Sequence, residues 1–513
     1  MTAWRRHWRI PVALALLMAA LVLLGGDYRV IAYVGQGGDT SGYTPTVDYG
    51  GSIDLFDRSV IHTIELDIDE DDIDSMVANY LDTGDKVFVS ADITIDGITI
   101  EDVGARLKGF STLRTAVGAG LQGAETDFDG LPFLVRLDEF RSGTSYQGVT
   151  EIALRTEGPT EDDTVLEEMV SVIVLEGIGL EAPRVAYIAF SLNGGAETLR
   201  IVADNPSDEY VERVEGGSGG VLYKAQSAGN FRYLGHDPTA YEGIFEQDSA
   251  INELDMSPLM DFLEFVETSS DEVFAAELGD RLDVGSFIDY LVIHNLMVNV
   301  DSLAGTNHNF YLLYSLSDER MTVLSWDLNE SLGGFWHTSG PSWALLPDWS
   351  NTNSNTMGPP MGDGIPGGAP GGPPPDAPQG VTRPGVPQDG RRPVPLEGGF
   401  PQGGLPQGQV PPGGDAGDPP TRGQFGPGGE NLLVSRFMAV DGFAAAYDAR
   451  YSELTAELFG DGLLESSLED AAELLVKAIE RGLLTDAEVR RGVAERLEWI
   501  GSREVFLQEL GFG

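Results

Sequence analysis

Hydrophobic residues follow two different periods along the chain. In the first half they alternate with polar residues in short runs, which indicates strands that bury one face. These runs are 61–68, 86–90, 91–95, 98–103, 105–109, 132–138 and 184–192. Later they recur at helical spacing over the stretches 258–266, 270–278, 284–300, 432–458, 467–481 and 486–510. We therefore predict an α+β fold in which mostly antiparallel strands are followed by helices.

Polar interruptions mark turns and further elements. Asp96-Gly97 and Asn193-Gly194 favour tight hairpin turns. The acids before the first helix lack the glycine and terminal glutamate of a calcium-binding loop, so they indicate a helix start that the helix dipole favours. The additional predicted elements are a helix over 69–80, a helix over 164–176 and a strand pair over 309–316 and 321–326.

The first 26 residues have the composition of an export signal. Arg5, Arg6 and Arg9 precede an uncharged apolar run over 10–24, which is typical of a signal peptide or a short N-terminal membrane anchor. No Ala-x-Ala cleavage site follows the run, so both alternatives stay open. Either one predicts an extracytoplasmic protein, secreted or anchored by its N-terminus, with a linker over 27–58.

A Gly/Pro-rich segment interrupts the later half of the chain. Residues 351–430 contain 22 glycines and 19 prolines among 80 residues, and such a segment cannot bury a core. We predict a disordered insertion there. It separates a folded domain over 59–350 from C-terminal helices over 431–513 that pack back on this domain.

Charge and cysteine content narrow the function classes. The 513 residues include 82 acidic and 31 basic side chains, a net charge of −51, and no cysteine. A chain this acidic is a poor nucleic-acid binder, because general binding to phosphate backbones requires a basic surface. The lack of cysteine excludes disulfides, thiolate metal sites and cysteine nucleophiles. The sequence leaves the oligomeric state open.

Two short stretches concentrate polar residues where chemistry could occur. Asp301 follows the apolar helix over 284–300 and precedes Asn309, while Asp327 follows Trp326 at the end of a predicted strand. Two acids and a nearby asparagine offer the hard oxygen ligands that a Mg²⁺–nucleotide site requires. Their order also resembles that of protein kinases. The structural alternative is that both acids only cap or begin turns.

A third stretch favours an anion site. Arg106 and Lys108 lie two residues apart on a predicted strand, so their side chains share one face. Gly109 permits a tight turn whose backbone amides, together with Ser111, could meet a phosphate. An exposed basic strand is the alternative interpretation.

The ordered set of motifs resembles the spore coat protein H (CotH) kinase family, which comprises atypical secreted protein kinases. No single motif is specific, but they occur in family order. They are the stretches 103–111, 131–140, 182–187, 192–194, 222–225, 299–302, 308–312 and 326–329. The resemblance implies a divergent protein-kinase-like fold that binds ATP with Mg²⁺ or Mn²⁺.

Site roles follow from the resemblance position by position. It implies that Asp301 is the catalytic-loop acid, that Asp327 binds the metal, and that Asn309 supports the metal or the catalytic loop. For the nucleotide, the resemblance implies phosphate contacts from Arg106 and Lys108.

Trp326 would then wall the nucleotide cleft, with core packing as the alternative. The implied activity is transfer of the γ-phosphoryl group of ATP to a Ser or Thr hydroxyl of an extracytoplasmic protein.

Three departures from the family pattern support a second interpretation. Asn329 stands where a second acid is frequent, Leu134 replaces a basic residue, and the glutamate expected after Asn193-Gly194 is missing. The alternative is a catalytically silent kinase-like module with a structural or binding role in the cell envelope or spore coat. A metal-dependent hydrolase has less support, because the chain has no His-Glu-x-x-His motif.

Overall fold

The structure, a computed structural model, describes ten stretches of the chain. They are 47–109, 113, 128, 130–156, 165–226, 231–249, 255–299, 301–305, 307–332 and 431–512. The predicted signal or anchor over 1–26 and the predicted disordered insertion over 351–430 lie outside these stretches. Within them, no helix combines the length and the apolar character that crossing a membrane requires.

The first half contains a closed seven-stranded barrel. Its strands are β2 His62–Ile68, β3 Val89–Ile95, β4 Ile98–Leu107, β5 Phe133–Arg136, β7 Glu151–Arg155, β8 Val185–Leu192 and β9 Thr198–Asp204. Around the barrel they follow the order β2-β3-β4-β5-β7-β9-β8. All neighbours are antiparallel except β2 and β8, which close the barrel in parallel with His62 opposite Ile188.

Alternation along the strands fills the barrel. In β2, Ile64 and Leu66 are fully buried while Asp67 between Leu66 and Ile68 is exposed. The buried side chains of Ile64 and Leu66 join Ile93 of β3 in one cluster, because successive residues of a strand point to opposite faces. The polar–apolar alternation in the sequence therefore reports the inside and outside of the barrel.

Two small sheets complete the strands. A four-stranded antiparallel sheet contains β10 Gly220–Ala225, β11 Phe245–Gln247, β12 Phe310–Ser315 and β13 Met321–Ser325. Its order is β11-β10-β12-β13. A parallel pair joins β1 Val47–Tyr49 to β6 Thr144–Tyr146, so the end of the predicted linker packs beside the barrel, where Leu55 is buried.

The α-helices lie between the strands and after them. They are α1 Glu70–Thr83, α2 Leu166–Gly177, α3 Asp208–Glu215, α4 Ser257–Thr268, α5 Asp271–Glu277, α6 Val284–Leu296, α7 Leu432–Met438, α8 Asp441–Thr455, α9 Leu463–Arg481 and α10 Asp486–Glu509. Asp69 caps α1 by accepting from the backbone N–H of Asp71. The acids at this position therefore start a helix, as the sequence predicts.

The C-terminal helices pack against the elements that precede the Gly/Pro-rich segment. Arg503 of α10 donates to the backbone oxygen of Asn295 in α6 at 2.9 Å, and Tyr451 of α8 donates to the side chain of Asn295 at 2.9 Å. Arg496 pairs with Glu167 of α2, and both side chains are 2% exposed. A buried ion pair of this kind is strongly destabilising to break from one side.

The predicted α+β class is confirmed, and several of its elements differ from the prediction. Gly104 does not divide β4: it pairs with Arg136, and a Cβ on it would lie 2.5 Å from the Cβ of Glu139. The glycine thus permits close packing rather than a turn. The predicted helix over 432–458 is interrupted, because α7 ends at Met438 and α8 begins at Asp441. The strands β7, β9 and β10 are not predicted at all.

Candidate functional site

Charged side chains from three barrel-side elements meet beside one tryptophan. We call the group of Lys108, Arg155, Glu168, Trp326 and Asp327 the Trp326 cluster. The Lys108 ammonium lies 4.8 Å from the Trp326 ring centre, and the Arg155 guanidinium lies 5.4 Å from it. Nη1 of Arg155 forms an ion pair with Oε1 of Glu168 at 2.8 Å, and Nη2 forms an ion pair with Oδ1 of Asp327. One arginine therefore joins two carboxylates.

Local structure brings these residues together. Lys108 follows β4 and precedes Gly109, which has a φ of +80°. Glu168 lies in the first turn of α2, where the helix dipole favours an acid. Asp327 has a φ of +59°, a left-handed conformation that turns the chain directly after Trp326. Three short sequence features thus converge on Arg155.

Burial makes the charges of the Trp326 cluster sensitive to their neighbours. Burial lowers the pKa of Lys108 well below its usual value, and Arg155 and Lys224 lower it further. Burial raises the pKa of Glu168, against the opposing effect of Arg155 and Lys108. An anion placed beside Lys108 would favour its charged form. The cluster therefore has the electrostatic character of an anion site.

More basic residues extend this site toward the second sheet. Burial, Arg106 and Lys224 lower the pKa of Lys86 to about 8, so these cations lie close enough to repel one another. Burial also lowers the pKa of Arg106, whose guanidinium stacks 5.2 Å from the ring centre of Phe88. We call Lys86, Arg106, Lys108 and Lys224 the basic band. In a chain of net charge −51, this concentration of cations favours a polyanionic ligand.

The basic band is balanced by acids on its sheet side. The Lys224 ammonium lies 3.9 Å from Oδ2 of Asp248. Burial raises the pKa of Asp248 to about 6, Lys224 lowers it, and Glu246 raises it. A lysine and a titrating carboxylate therefore share the edge of the site near β10 and β11.

The second predicted acid lies in a different setting. Oδ2 of Asp301 accepts a hydrogen bond from the Asn309 amide nitrogen at 2.8 Å, and Nδ1 of His308 lies 3.4 Å from Oδ1. The Asp301 backbone N–H donates to Oδ1 of Asn299 at 3.1 Å. Asn307 and Asn309 have φ values of +62° and +51°, a conformation that asparagine tolerates better than most residues. We call residues 301–309 the Asp301 loop.

Strand register places the Asp301 loop and the Trp326 cluster at the same end of a hairpin. Phe310 at the start of β12 pairs with Ser325 at the end of β13, so Asn309 and Trp326 lie opposite each other just beyond the ladder. His294 of α6 fixes this end through a 2.8 Å hydrogen bond between Nε2 and Oγ of Ser325. Both acids therefore emerge at one edge of the sheet.

A family comparison gives this arrangement a context. Residues 120–363 match the family model described as CotH kinase protein. The predicted resemblance to the CotH family is confirmed over this segment. No curated protein matches the chain. The CotH match contains the Asp301 loop and every member of the Trp326 cluster except Lys108, which contacts the matched segment through Trp326.

The structure groups the sequence-predicted residues of this CotH segment in two sets. Lys108, Trp326 and Asp327 belong to one contact network, and Asp301 and Asn309 form a direct pair. Trp326 is 2% exposed, so its ring packs beneath the cations and offers little surface to a ligand. Of the two roles expected for Asn309, support of the loop fits its bond to Asp301. Their chemical roles stay predictions.

Sequence reasoning missed three residues of the Trp326 cluster and the basic band. Glu168 carries a visible signal, because Glu167 and Glu168 directly precede the largely apolar middle of the helix, and buried acids require partners. Lys224 lies within the stretch 222–225 that carries part of the family resemblance, but nothing in the sequence assigns it a role. Arg155 has no sequence signal, since an arginine at a strand end is usually solvated.

The departures from the CotH pattern also have structural settings. Asn329 lies in a short 3₁₀ helix, Leu328–Glu330. Leu134 is buried on β5. Strand β9, which follows Asn193-Gly194, ends in the buried acid Asp204, paired with Arg184 at 2.8 Å. The segment without the expected glutamate thus still ends in a paired carboxylate.

Proposed function

We propose that the chain is an exported protein kinase with a divergent kinase-like fold. It transfers the γ-phosphoryl group of ATP to a Ser or Thr hydroxyl of an extracytoplasmic protein, with Mg²⁺ or Mn²⁺. The observation that carries the proposal is the Trp326 cluster within a CotH-family chain, because it joins a basic band to a carboxylate at a strand end. Export rests on the basic and apolar composition of residues 1–26.

The ligand atoms and charges of this site suit a divalent metal and a nucleoside triphosphate. Asp301 and Asp327 supply carboxylate oxygens, and their side chains are 27% and 26% exposed, so a ligand can reach them. Hard oxygen donors suit Mg²⁺ and Mn²⁺. Lys108 and Lys224 are the lysines that would meet the phosphates, and a phosphate beside Lys108 would favour the charged form that burial disfavours. When bound, the metal neutralises phosphate charge as the leaving group departs.

Each residue has a distinct task in the proposed reaction. Asp301 orients the Ser or Thr hydroxyl and accepts its proton while the hydroxyl oxygen bonds to the γ-phosphorus and the bond to the ADP oxygen breaks. Asn309 holds the Asp301 carboxylate through its amide. Asp327 would hold the metal. The basic band orients the phosphates, and catalysis depends mainly on positioning and charge.

Arg155 sets a condition for this assignment. Its guanidinium engages Oδ1 of Asp327 and Oε1 of Glu168 at 2.8 Å. Metal binding by Asp327 would therefore exchange an arginine contact for a metal contact, while Arg155 keeps Glu168 as its partner. The exchange keeps the buried Glu168 paired, and a buried charge costs more free energy to leave unpaired than an exposed one.

A silent binding or structural module is the second candidate. It is favoured by Asn329, which supplies no negative charge at a position where the family frequently has an acid, and by the engagement of Asp327 with Arg155. In this interpretation the ion pair is the permanent state of Asp327, and the basic band serves a non-catalytic anion or partner.

Phosphoryl transfer by the purified chain separates the two candidates. We expect incorporation of labelled phosphate in the presence of ATP and Mn²⁺ or Mg²⁺, and a loss of about a thousandfold or more in Asp327→Ala, because the metal contributes several kcal/mol to the transition state. Asp74→Ala removes an exposed acid of α1 and should retain activity. Wild-type protein that neither binds ATP with metal nor transfers phosphate would exclude the enzyme and favour the silent module.

A further inference from the structure

A second group of residues that could bind a metal lies where the connection between β10 and β11 meets α4, outside the Trp326 cluster and the Asp301 loop. His236, Asp261 and Glu264 each offer one ligand atom, and these atoms lie within 4.8 Å of one another. Nε2 of His236 is 3.9 Å from Oε2 of Glu264. Asp261 and Glu264 are three residues apart on α4, so they share a helix face. The group combines an imidazole from a loop with two carboxylates from one helix.

The loop that carries His236 is fixed against the protein. The buried hydroxyl of Tyr241 accepts from the backbone N–H of Leu234 at 2.8 Å and donates to the backbone oxygen of Gly235 at 2.9 Å. The Tyr233 N–H donates to Glu267 of α4 at 2.6 Å. These bonds hold the backbone of residues 233–235, directly before His236, so the loop that presents His236 to α4 is anchored.

The immediate surroundings orient the imidazole and concentrate negative charge. The Tyr233 ring meets the His236 ring edge-on, with centres 5.5 Å apart and planes at 73°. Burial together with Glu264 and Asp261 raises the pKa of the Tyr233 hydroxyl, which places that hydroxyl near both acids. Like charges three residues apart on a helix repel each other, and a bound cation would remove this repulsion.

We propose that His236, Asp261 and Glu264 bind one divalent transition-metal ion of the Zn²⁺ class. An imidazole nitrogen with two carboxylate oxygens is a ligand set for Zn²⁺ rather than for Mg²⁺ or Ca²⁺, which prefer oxygen alone. Two ligands about 2.1 Å from a tetrahedral ion lie roughly 3.4 Å apart. Nε2 of His236 and Oε2 of Glu264 are 3.9 Å apart and all three ligand atoms lie within 4.8 Å of one another, so the side chains would have to move closer together around the ion.

The exposure of the ligands makes such a movement possible and leaves room for water. The side chains of His236 and Glu264 are 64% and 42% exposed. Three protein ligands leave at least one position for solvent. The ion would tie the connection between β10 and β11 to α4, so its expected effect is on the stability of this connection. The proposal does not depend on kinase activity.

Zinc titration of the full, tag-free chain tests the proposal. After removal of metals, Zn²⁺ is titrated against a chromophoric chelator with wild type, His236→Ala, Asp261→Asn and Glu264→Gln. We expect each substitution to weaken one equivalent by more than about tenfold, since even indirect perturbation of a metal ligand has an effect of that size. Asp74→Asn makes the same charge change on an exposed position of α1 and should bind as wild type does.

Imidazole NMR identifies the ligand directly. The chain has six histidines, and the signals of His236 are those lost in His236→Ala. They should shift with the first equivalent of Zn²⁺ in wild type. Equal Zn²⁺ affinity and stoichiometry in wild type and His236→Ala, with unshifted His236 signals, would overturn the proposal. The ligand side chains are at the surface, so unchanged thermal unfolding in the absence of metal shows that the variants are folded.

Discussion

The two predicted acids are held in opposite ways. Asp327 touches a guanidinium that also pairs with the buried Glu168, and it follows a tryptophan whose ring two cations approach. Asp301 accepts from the neutral amide of Asn309, with His308 at 3.4 Å. One acid belongs to a charged network, and the other to a polar loop.

This difference indicates a division of labour. A carboxylate in a dense charge network can exchange one cation for another with little reorganisation, which suits metal binding. A carboxylate held by a neutral amide keeps a fixed direction, which suits orientation of a hydroxyl. The contrast predicts that substitutions in the Trp326 cluster affect folding and binding together, whereas substitutions in the Asp301 loop affect the reaction alone.

The largest effect is expected for Arg155→Met. It leaves Glu168 buried without its arginine and should destabilise the fold by about 3 kcal/mol. The measurement is urea unfolding at neutral pH. Arg490→Met removes an exposed ion pair with Asp486, whose side chains are 76% and 61% exposed, and should cost less than about 1 kcal/mol.

A double-mutant cycle identifies the cause of that loss. Adding Glu168→Gln to Arg155→Met should recover part of the stability, because the remaining buried charge is then removed. If Arg155→Met and Arg490→Met lose the same stability, the network around Trp326 has no special energetic role and the contrast between the two regions fails.

Asp301→Asn should lower transfer by roughly a hundredfold or more while ATP affinity stays at the wild-type value. The side-chain amide oxygen can still accept from Asn309, so the loop should retain its shape. Transfer rate and ATP binding are measured on the same preparation, with Asp318→Asn at the far turn of the hairpin as an exposed control. A parallel loss of ATP affinity would assign Asp301 to the metal instead.

The smallest effect concerns pH. Burial lowers the pKa of His294 to about 3, whereas an unfolded histidine titrates near 6.5. The unfolded chain therefore gains a proton that the folded chain excludes, so stability falls as the pH drops below about 6.5. The loss from this group reaches about 2 kcal/mol at pH 5.

Comparison of wild type with His294→Gln isolates the contribution of His294 to the pH dependence of the unfolding free energy. In the variant, the decrease in unfolding free energy between pH 7 and pH 5 should be smaller by about 2 kcal/mol. His236→Ala removes an exposed histidine and should keep the wild-type decrease. Identical pH dependence of wild type and His294→Gln would show that the buried imidazole takes up a proton within the fold.

Sequence reasoning reaches the local elements and stops at long-range pairing. The alternation in β2 and the acids before α1 carry their own structural information, because each reflects burial or a dipole acting on neighbouring residues. No local pattern of this kind marks the closure of the barrel, because His62 pairs with Ile188, which is remote in sequence. Such a pairing depends on register between segments, and no local pattern specifies it.

The same limit applies to the site. Asp301, Asn309 and Asp327 stand beside recognisable motifs, so their types and order suffice to propose them. Arg155 and Glu168 were missed because their importance arises only when β7 and α2 bring them into contact. Buried charge pairs are a property of the folded state, and Arg155 alone resembles an ordinary surface residue.

The contact between Asn431 and Asn307 has a genetic consequence. The family match ends at residue 363, yet the Asn431 amide donates at 2.8 Å to Asn307 in the loop that carries Asp301, and Arg503 donates to α6. A premature stop codon just beyond residue 363 would preserve the entire matched segment and still remove these supports. Nonsense alleles in the Gly/Pro-rich segment should therefore behave as loss-of-function alleles, whereas in-frame changes of its length leave both contacts encoded.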